Sequence, residues 1–282
     1  MHRYKKGEYR DQFVIAYITD LDNCQSIIQW AEKFCNILQK GLILLYISDS
    51  KYNCISTSQA QQKLKTINEG LNLNYVHSYA ALGGKTKEII NNLGDLLNGV
   101  MVVTQVSNDT SKTNPVSVNN LLNNFYTCRL AYFVFKKFDA NNNFSDCVVT
   151  MNALKECKEK ILWASYLGRF AHSITHIYYH RYADQYLQKQ LNLNIGFLRK
   201  MFRKFNIETR NARSMDKYTA LDVQASQYAA KNNCGICIFQ TTKTKSIIEL
   251  FTGLAERKVL KRMDNVPVLY LNQRDDLFVM CE

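Results

Sequence analysis

The chain has 282 residues, of which 46% are hydrophobic and 12% aromatic, and its formal net charge is +12 at pH 7. This composition excludes a disordered polypeptide and a disulfide-stabilised miniprotein, and the length allows one large domain or two of about 140 residues. Only 2 prolines and 11 glycines argue against collagen-like, linker-rich and many-turned all-β architectures.

Cysteine usage and the amino-terminal sequence bear on the cellular compartment. Nine cysteines, an odd number without paired spacing, are typical of buried thiols in a reducing compartment. The first apolar run, residues 13–18, is too short for a signal-peptide core or a membrane span. We therefore expect a soluble, cytoplasmic protein without membrane contact. Its positive charge favours anionic partners such as nucleotides, nucleic acid or acidic proteins without choosing among them.

Strand-like and helix-like stretches alternate along the first half of the chain. The strand-like stretches are apolar and rich in β-branched residues: 12–18, 41–47, 74–82, 100–105 and 130–135. The stretches between them have helical patterning: 22–40, 58–68, 86–97 and 116–127. Strict alternation of this kind predicts a parallel sheet covered by helices on both faces.

The same series repeats after a polar run at residues 139–143, which we interpret as a linker. The predicted strands of the second half are 147–151, 176–180, 207–212, 234–240 and 266–271. The predicted helices are 154–173, 186–205, 218–231 and 246–263. The two tryptophans, Trp30 and Trp163, are 133 residues apart, and Cys24 and Cys157 share that offset. This shared register predicts two homologous α/β lobes.

The end of the second lobe carries the most informative sequence. It consists of the strand Cys234-Gly-Ile-Cys-Ile-Phe-Gln240, a predicted helix, and the strand Asn265-Val-Pro-Val-Leu-Tyr-Leu271. This segment resembles the closing segment of universal stress proteins, in which a strand ends in a glycine loop, a helix follows and a "PVL" strand completes the domain. A Trp-Ala pair in the first helix is similar as well, and the resemblance extends over nearly the whole chain, once per lobe.

The resemblance implies a fold and an arrangement of domains. It implies two tandem lobes, residues 1–138 and 145–282, each a mostly parallel five-stranded sheet flanked by helices, Rossmann-like and similar to the adenine nucleotide alpha hydrolases. Domains of this family pair through their last strands, which implies an internal pseudo-dimer formed by residues 130–135 and 266–271. A homodimer of the whole chain is a further expectation.

The resemblance also implies candidate ligand-binding positions. Nucleotide-binding members carry an Asp after the first strand and a G-x2-G-x9-G-[ST] loop, whose glycines let the backbone approach phosphates at a helix start. The matching positions in this chain, with the two threonines between them, are Thr19, Asn152, Gln240, Thr241, Thr242, Lys243, Gly253 and Leu254. Only Gly253 keeps the family's residue type, so bulkier side chains enter the phosphate space. We therefore expect no tight binding of ATP, although an adenine nucleotide remains a candidate cofactor and Lys243 could attract an anion.

Four further patterns have a functional and a structural interpretation, and in each the structural one is favoured. The run Gly83-Gly84-Lys85-Thr86 is similar to a phosphate-binding loop but has Tyr79 where that loop needs glycine. Cys234 and Cys237 form a CxxC pair inside an apolar strand, which favours buried thiols over a redox or metal site. His172, His176 and His180 cross from a helix into a strand, so they cannot share one face as metal ligands.

The fourth pattern is the basic and aromatic run at residues 199–205. Such a mixture suits single-stranded nucleic acid. However, Phe197, Met201 and Phe205 are spaced by four on the predicted helix, which predicts a core stripe with the basic side chains solvated.

These features together predict a universal stress-type protein that serves as a regulatory or small-ligand-binding module. Its partner would be a small ligand or a protein, with nucleic acid less favoured. No nucleophile and base, metal cluster or paired acid can be assembled from the sequence, so no enzymatic activity is assigned. The alternatives are an ATP- or AMP-binding universal stress protein or related nucleotide hydrolase, and a basic nucleic-acid-binding protein.

Overall fold

A computed structural model describes residues 12–52, 54–107, 111–154, 158–214, 216, 219–241, 254–263 and 265–272. The chain forms two compact units, whose boundary lies between Tyr132 and Phe133, with residues 106 and 107 grouped with the second unit. Each unit has its own sheet strands and helices, and they are described separately.

The first unit is an α/β sheet in which the described strand pairs are parallel. Its strands are β1 (Phe13–Tyr17), β2 (Gly41–Ser48), β3 (His77–Gly83) and β4 (Gly99–Gln105), followed by β5 (Ala131–Phe135), within which the boundary between the units falls. The spatial order of these strands is β3-β2-β1-β4-β5. Its helices are α1 (Gln25–Leu38), α2 (Thr57–Glu69), α3 (Thr86–Asn91), α4 (Leu93–Leu97) and α5 (Val118–Phe125). β1 and β2 are almost wholly buried, as expected of parallel strands covered on both faces.

The second unit repeats this architecture. Its strands are β6 (Asp146–Thr150), β7 (Ile174–Tyr179), β8 (Thr209–Arg213), β9 (Ile236–Gln240) and β10 (Val268–Leu271), in the order β10-β9-β6-β7-β8 and again parallel. Its helices are α6 (Lys158–Phe170), α7 (Gln185–Lys204), α8 (Leu221–Lys231) and α9 (Ala255–Arg262). The mixed α/β, Rossmann-like fold predicted from the sequence is confirmed.

The internal repeat is visible in the element boundaries. β6 begins 133 residues after β1, α6 begins 133 residues after α1, and β7 begins 133 residues after β2. Trp30 and Trp163 therefore occupy matching positions in α1 and α6, although Trp30 is fully buried and Trp163 only half-buried. The register inferred from a few matched residues thus extends to whole strands and helices.

Two expectations from the sequence are wrong in detail. The single helix expected at 86–97 is interrupted at Asn92, whose side-chain amide donates to the carbonyl of Glu88 (2.9 Å) and whose ψ of 8° is not helical. The core stripe expected on α7 is also wrong: Phe197 is 41% exposed and Phe205 43%. The helix instead buries Leu191, Ile195, Leu198 and Phe202, because the strip that faces the core lies about a third of a turn away.

Candidate functional site

The carboxyl ends of β6 and β9 form the site that the topology favours in the second unit. Strand order reverses direction between these two neighbouring strands, and open α/β sheets bind ligands outside the carboxyl ends of the strands at such a point. Asn152 follows β6, and Gln240 is the last residue of β9. Because β6 and β9 are adjacent and parallel, these two candidate residues leave the sheet at the same edge.

Asn152 is held in place by hydrogen bonds within its own loop and to α7. Its side-chain oxygen accepts from the backbone N–H of Leu154 (3.1 Å), which makes a local turn. The side-chain amide of Asn194 on α7 donates to the backbone carbonyls of Asn152 (3.0 Å) and Leu154 (2.9 Å). An Asp at position 152 could accept the same bond from Leu154, so the amide is not required for the turn.

Thr241 is turned toward the protein interior. Its backbone N–H donates to the carbonyl of Leu271 (2.9 Å), and its hydroxyl donates to the side-chain oxygen of Asn272 (2.5 Å). Thr241 is therefore buried and ties the end of β9 to the end of β10. Gln240 is half-buried beside it, and Leu254 is the residue that precedes α9. The candidates Thr242, Lys243 and Gly253 lie outside the described residues.

Thr19 belongs to the first unit, where it follows β1 and is half-buried. The hydroxyl of Thr104 on the neighbouring strand β4 donates to the carbonyl of Tyr17 (3.4 Å), and the Tyr17 ring is buried against Phe125.

Charged side chains that the sequence analysis missed lie buried at the same edge of the second unit. Lys160 and Glu256 are each less than 5% exposed, and the Lys160 ammonium donates to the hydroxyl of Thr150 (3.2 Å) at the end of β6. Burial raises the pKa of Asp222 to about 6; Lys160 and Thr150 oppose this shift and Glu256 adds to it. Lys160, Asp222 and Glu256, which we call the buried ion cluster, come from the first turns of α6, α8 and α9.

The internal repeat held a signal for this cluster. Lys160 occupies the position that Ile27 occupies in α1, and Ile27 is buried. A lysine in a core position of a repeated helix needs buried partners, since an isolated charge in the interior is costly. Matching the two halves residue by residue would therefore have indicated acidic partners for Lys160.

The Gly-Gly-Lys-Thr run of the first unit is explained by an acidic side chain. Gly84 has a φ of +140°, which L side chains rarely adopt, and Thr86 begins α3. The Asp49 carboxylate accepts from the backbone N–H groups of Thr86 (2.7 Å) and Lys51 (3.0 Å). Desolvation raises the pKa of Asp49, but these hydrogen bonds outweigh it and hold the pKa below its usual value. A carboxylate of the chain itself thus occupies the place that a phosphate takes in a phosphate-binding loop.

A second polar group lies at the opposite edge of the second unit, at the amino ends of β6 and β7. The two ring nitrogens of His176 are hydrogen-bonded to Asp146 (Nε2 to Oδ1, 2.9 Å) and to the hydroxyl of Tyr228 (Nδ1, 2.9 Å). His176 is nearly buried and so is fully engaged within the protein. Among the described residues, no group of three or more His, Cys, Asp or Glu could hold a metal ion.

Cys234 and Cys237 are buried beside this group. Burial raises the pKa of Cys234 to about 12 and holds that of Cys237 well above its usual value. A redox-active thiol needs the opposite shift, because the thiolate is the reactive form. The pair therefore has the properties of structural cysteines.

Comparison with solved structures identifies the fold. A universal stress protein from Archaeoglobus fulgidus matches with a TM-score of 0.70 at 14% identity, covering 94% of this chain and 98% of that one. A candidate universal stress protein from Pseudomonas aeruginosa UCBPP-PA14 matches with a TM-score of 0.61 at 13% identity, covering 95% and 94%. The cytoplasmic domain of a prokaryotic cation chloride cotransporter matches with a TM-score of 0.58 at 10% identity, covering 96% and 100%.

The sequence resemblance to universal stress proteins is thus confirmed at the level of the fold. Sequence comparison matches neither a family model nor a curated protein. In the described part of the chain, no helix is long and apolar enough to cross a membrane.

Proposed function

We propose that this chain, which has the fold of universal stress proteins, is a cytoplasmic universal stress-type module that regulates through a small ligand or a protein partner and does not hold ATP tightly. The fold alone does not choose this function, since the cotransporter domain shares it. The proposal therefore depends on the chemistry at the carboxyl edge of the second unit.

The buried Glu256 in the first turn of α9 is the observation that carries the proposal. In nucleotide-binding relatives the start of this helix receives phosphate, because free N–H groups and the helix dipole favour an anion. Here Glu256 places a carboxyl group in that turn, and Asp222 lies in the buried ion cluster with it. Two acidic groups at this edge oppose a triphosphate, and the ammonium of Lys160 is already engaged with Thr150 and the charge of Asp222.

The neighbouring candidate residues also weaken the binding of a nucleotide. Gln240 replaces a glycine of the family pattern, so its side chain keeps the backbone away from the phosphates. Leu254 replaces a small hydroxyl residue, so a hydrogen-bond donor is lost. Asn152 replaces the acid after the first strand, and a neutral amide oxygen is a weaker acceptor than a carboxylate. If these losses together cost about 3 kcal/mol, a micromolar ligand would bind in the hundred-micromolar range or weaker.

Calorimetry with ATP and AMP on the purified chain tests this proposal. We expect dissociation constants of about 100 μM or weaker for the natural chain. In the Asn152→Asp, Gln240→Gly double variant, which restores two family residues, binding should tighten several-fold. Binding of ATP to the natural chain with a low-micromolar dissociation constant would contradict the proposal and favour the nucleotide-binding alternative. In that case Gly253→Leu should abolish the binding, and the control Gly196→Ala, on the exposed face of α7, should keep it.

A further inference from the structure

We propose that the outer surface of α6 and α7 of the second unit binds single-stranded nucleic acid. We call this surface the aromatic seam; it consists of Lys158, Tyr166, Arg169, Phe170, Phe197 and Phe205. It lies on the outer helices and includes Phe197 and Phe205, which are exposed and do not form the core stripe expected from the sequence. The inference goes beyond the proposed function and is independent of any ligand at the sheet edge.

Aromatic rings reach the surface from both helices. Tyr166 and Phe170 on α6 are 44% and 47% exposed and stack on each other, with ring centres 6.1 Å apart and planes 23° apart. Phe197 on α7 and Phe205 just after it are exposed to a similar degree. Single exposed apolar residues are common, but four exposed aromatic rings on two adjoining helices form a patch of the kind that marks a binding surface.

Cations lie over these rings. The Arg169 guanidinium is 4.8 Å from the centre of the Phe170 ring and 4.3 Å from that of Phe205, so it links the two helices. The ammonium of Lys158 is 5.5 Å from the centre of the Phe197 ring. Base stacking on aromatic side chains combined with nearby cations for the phosphates is the arrangement by which proteins bind single strands without sequence preference.

The charge on α7 supports the same ligand. Its 20 residues include five Lys or Arg and no Asp or Glu. The Arg199 guanidinium donates to the side-chain oxygen of Asn211 on β8 (3.0 Å), whereas Lys200 and Lys204 are exposed three and seven residues after Phe197, on the same face of the helix. A single strand that stacks on the rings would have its phosphates within reach of these side chains.

An anionic membrane surface would also attract basic charge, but the helix is poorly suited to it. A helix that lies in a membrane interface inserts a free apolar face. The apolar face of α7, formed by Leu191, Ile195, Leu198 and Phe202, is buried in the core of the second unit and cannot insert. The structure therefore favours nucleic acid.

Fluorescence anisotropy with a labelled 20-nucleotide oligo(dT) and its oligo(U) counterpart tests the proposal. We expect saturable binding, with a dissociation constant of about 1–10 μM at low salt. Four exposed cations, Lys158, Arg169, Lys200 and Lys204, predict a slope of about −3 in a plot of log K against log salt concentration. Phe170→Leu and Phe197→Leu, which keep apolar volume but remove the rings, should each weaken binding about tenfold.

Charge variants separate this surface from the general positive charge of the chain. Lys200→Gln with Lys204→Gln should reduce the salt slope by about 1.4 and weaken binding. The matched control is Lys63→Gln with Lys65→Gln, which removes the same charge from exposed positions on α2 of the first unit and should leave binding unchanged. Equal losses in both double variants would overturn the proposal, as would unchanged binding in the two Leu variants. Absence of oligonucleotide binding, with or without association with anionic lipid vesicles, would overturn it too.

Discussion

The carboxylate of Asp49 accepts a 2.7 Å hydrogen bond from the backbone N–H of Thr86, which joins the end of β2 to the start of α3. The same carboxylate accepts from the N–H of Lys51, so one buried side chain satisfies two backbone donors 35 residues apart. A sequence that looks like a phosphate-binding loop is in this way closed by the protein's own acid.

The first prediction concerns this contact. Asp49→Ala leaves both N–H groups without their acceptor and should lower the free energy of unfolding by about 1–3 kcal/mol. The pKa of Asp49 is lowered in the folded protein, so its contribution is present above the unfolded pKa and is lost as the pH falls through the folded value. The free energies of unfolding in urea of the natural chain and of Asp49→Asn, which cannot ionise, should therefore begin to converge as the pH falls below about 4.

The second prediction concerns Asp222, whose contribution to stability changes with pH in the opposite direction to that of Asp49. Its pKa of about 6 in the folded protein lies above the ordinary value, so between about pH 4 and pH 6 the unfolded chain loses a proton that the folded chain keeps. The free energy of unfolding should fall across this window by up to about 3 kcal/mol as the pH rises. Asp222→Asn should lack this dependence in urea titrations at several pH values.

Lys160 provides a check on the same prediction. Lys160→Met removes the cation that opposes the shift of Asp222, so the pH window should move upward and the free energy of unfolding should drop by about 3 kcal/mol. If the natural chain and Asp222→Asn show the same pH dependence, the assignment of the raised pKa to Asp222 is wrong.

The third prediction compares two helical glycines. A Cβ at Gly168 in α6 would lie 2.6–2.9 Å from three carbons of Ile207, whereas a Cβ at Gly196 in α7 would meet nothing within 4 Å. Gly168→Ala should therefore lower the free energy of unfolding by about 1–3 kcal/mol through overpacking. Gly196→Ala should raise it by up to about 1 kcal/mol, because alanine favours the helix. Thermal unfolding of the two variants checks the contrast, and in the Ile207→Ala background Gly168→Ala should cost less than in the natural chain.

The fourth prediction concerns His176. Tyr228→Phe removes the hydroxyl bonded to Nδ1 and should lower the free energy of unfolding by about 1 kcal/mol, since His176 is nearly buried. Tyr186→Phe is the matched control: its side chain is 68% exposed and its change should have no effect. Equal stability of both variants in urea would show that the hydroxyl contributes nothing to the group.

Most of the fold could be predicted from the sequence because parallel α/β sheets leave a strong local signal. The strands are continuous apolar runs, the helices are amphipathic, and the two alternate, so element order and the repeat followed directly. The interruption of the helix at Asn92 was not predictable in this way, since asparagine is acceptable in a helix. It is visible only in the structure, from the non-helical ψ of Asn92 and its bond to Glu88.

The candidate site was harder to predict because spacing does not show where a side chain points. Thr241 matches a loop position of the family pattern, yet its hydroxyl is bonded inward to Asn272. Phe197 and Phe205 have the spacing of a core stripe, but a four-residue period also describes a strip beside the core. Lys160 is an ordinary helical residue in the sequence, and its burial depends on Asp222 and Glu256, which are more than 60 residues away.

The burial of the cysteines provides internal reporters of opening. Among the described cysteines six are buried, three in each unit: Cys24, Cys35, Cys128, Cys147, Cys234 and Cys237. An alkylating reagent reacts only with an accessible thiolate. In the folded state the six thiols are buried and cannot react. The rate at which each thiol is labelled therefore measures how often its surroundings open. Mass spectrometry of partly alkylated chains would show whether the two halves of the repeat open together or one at a time.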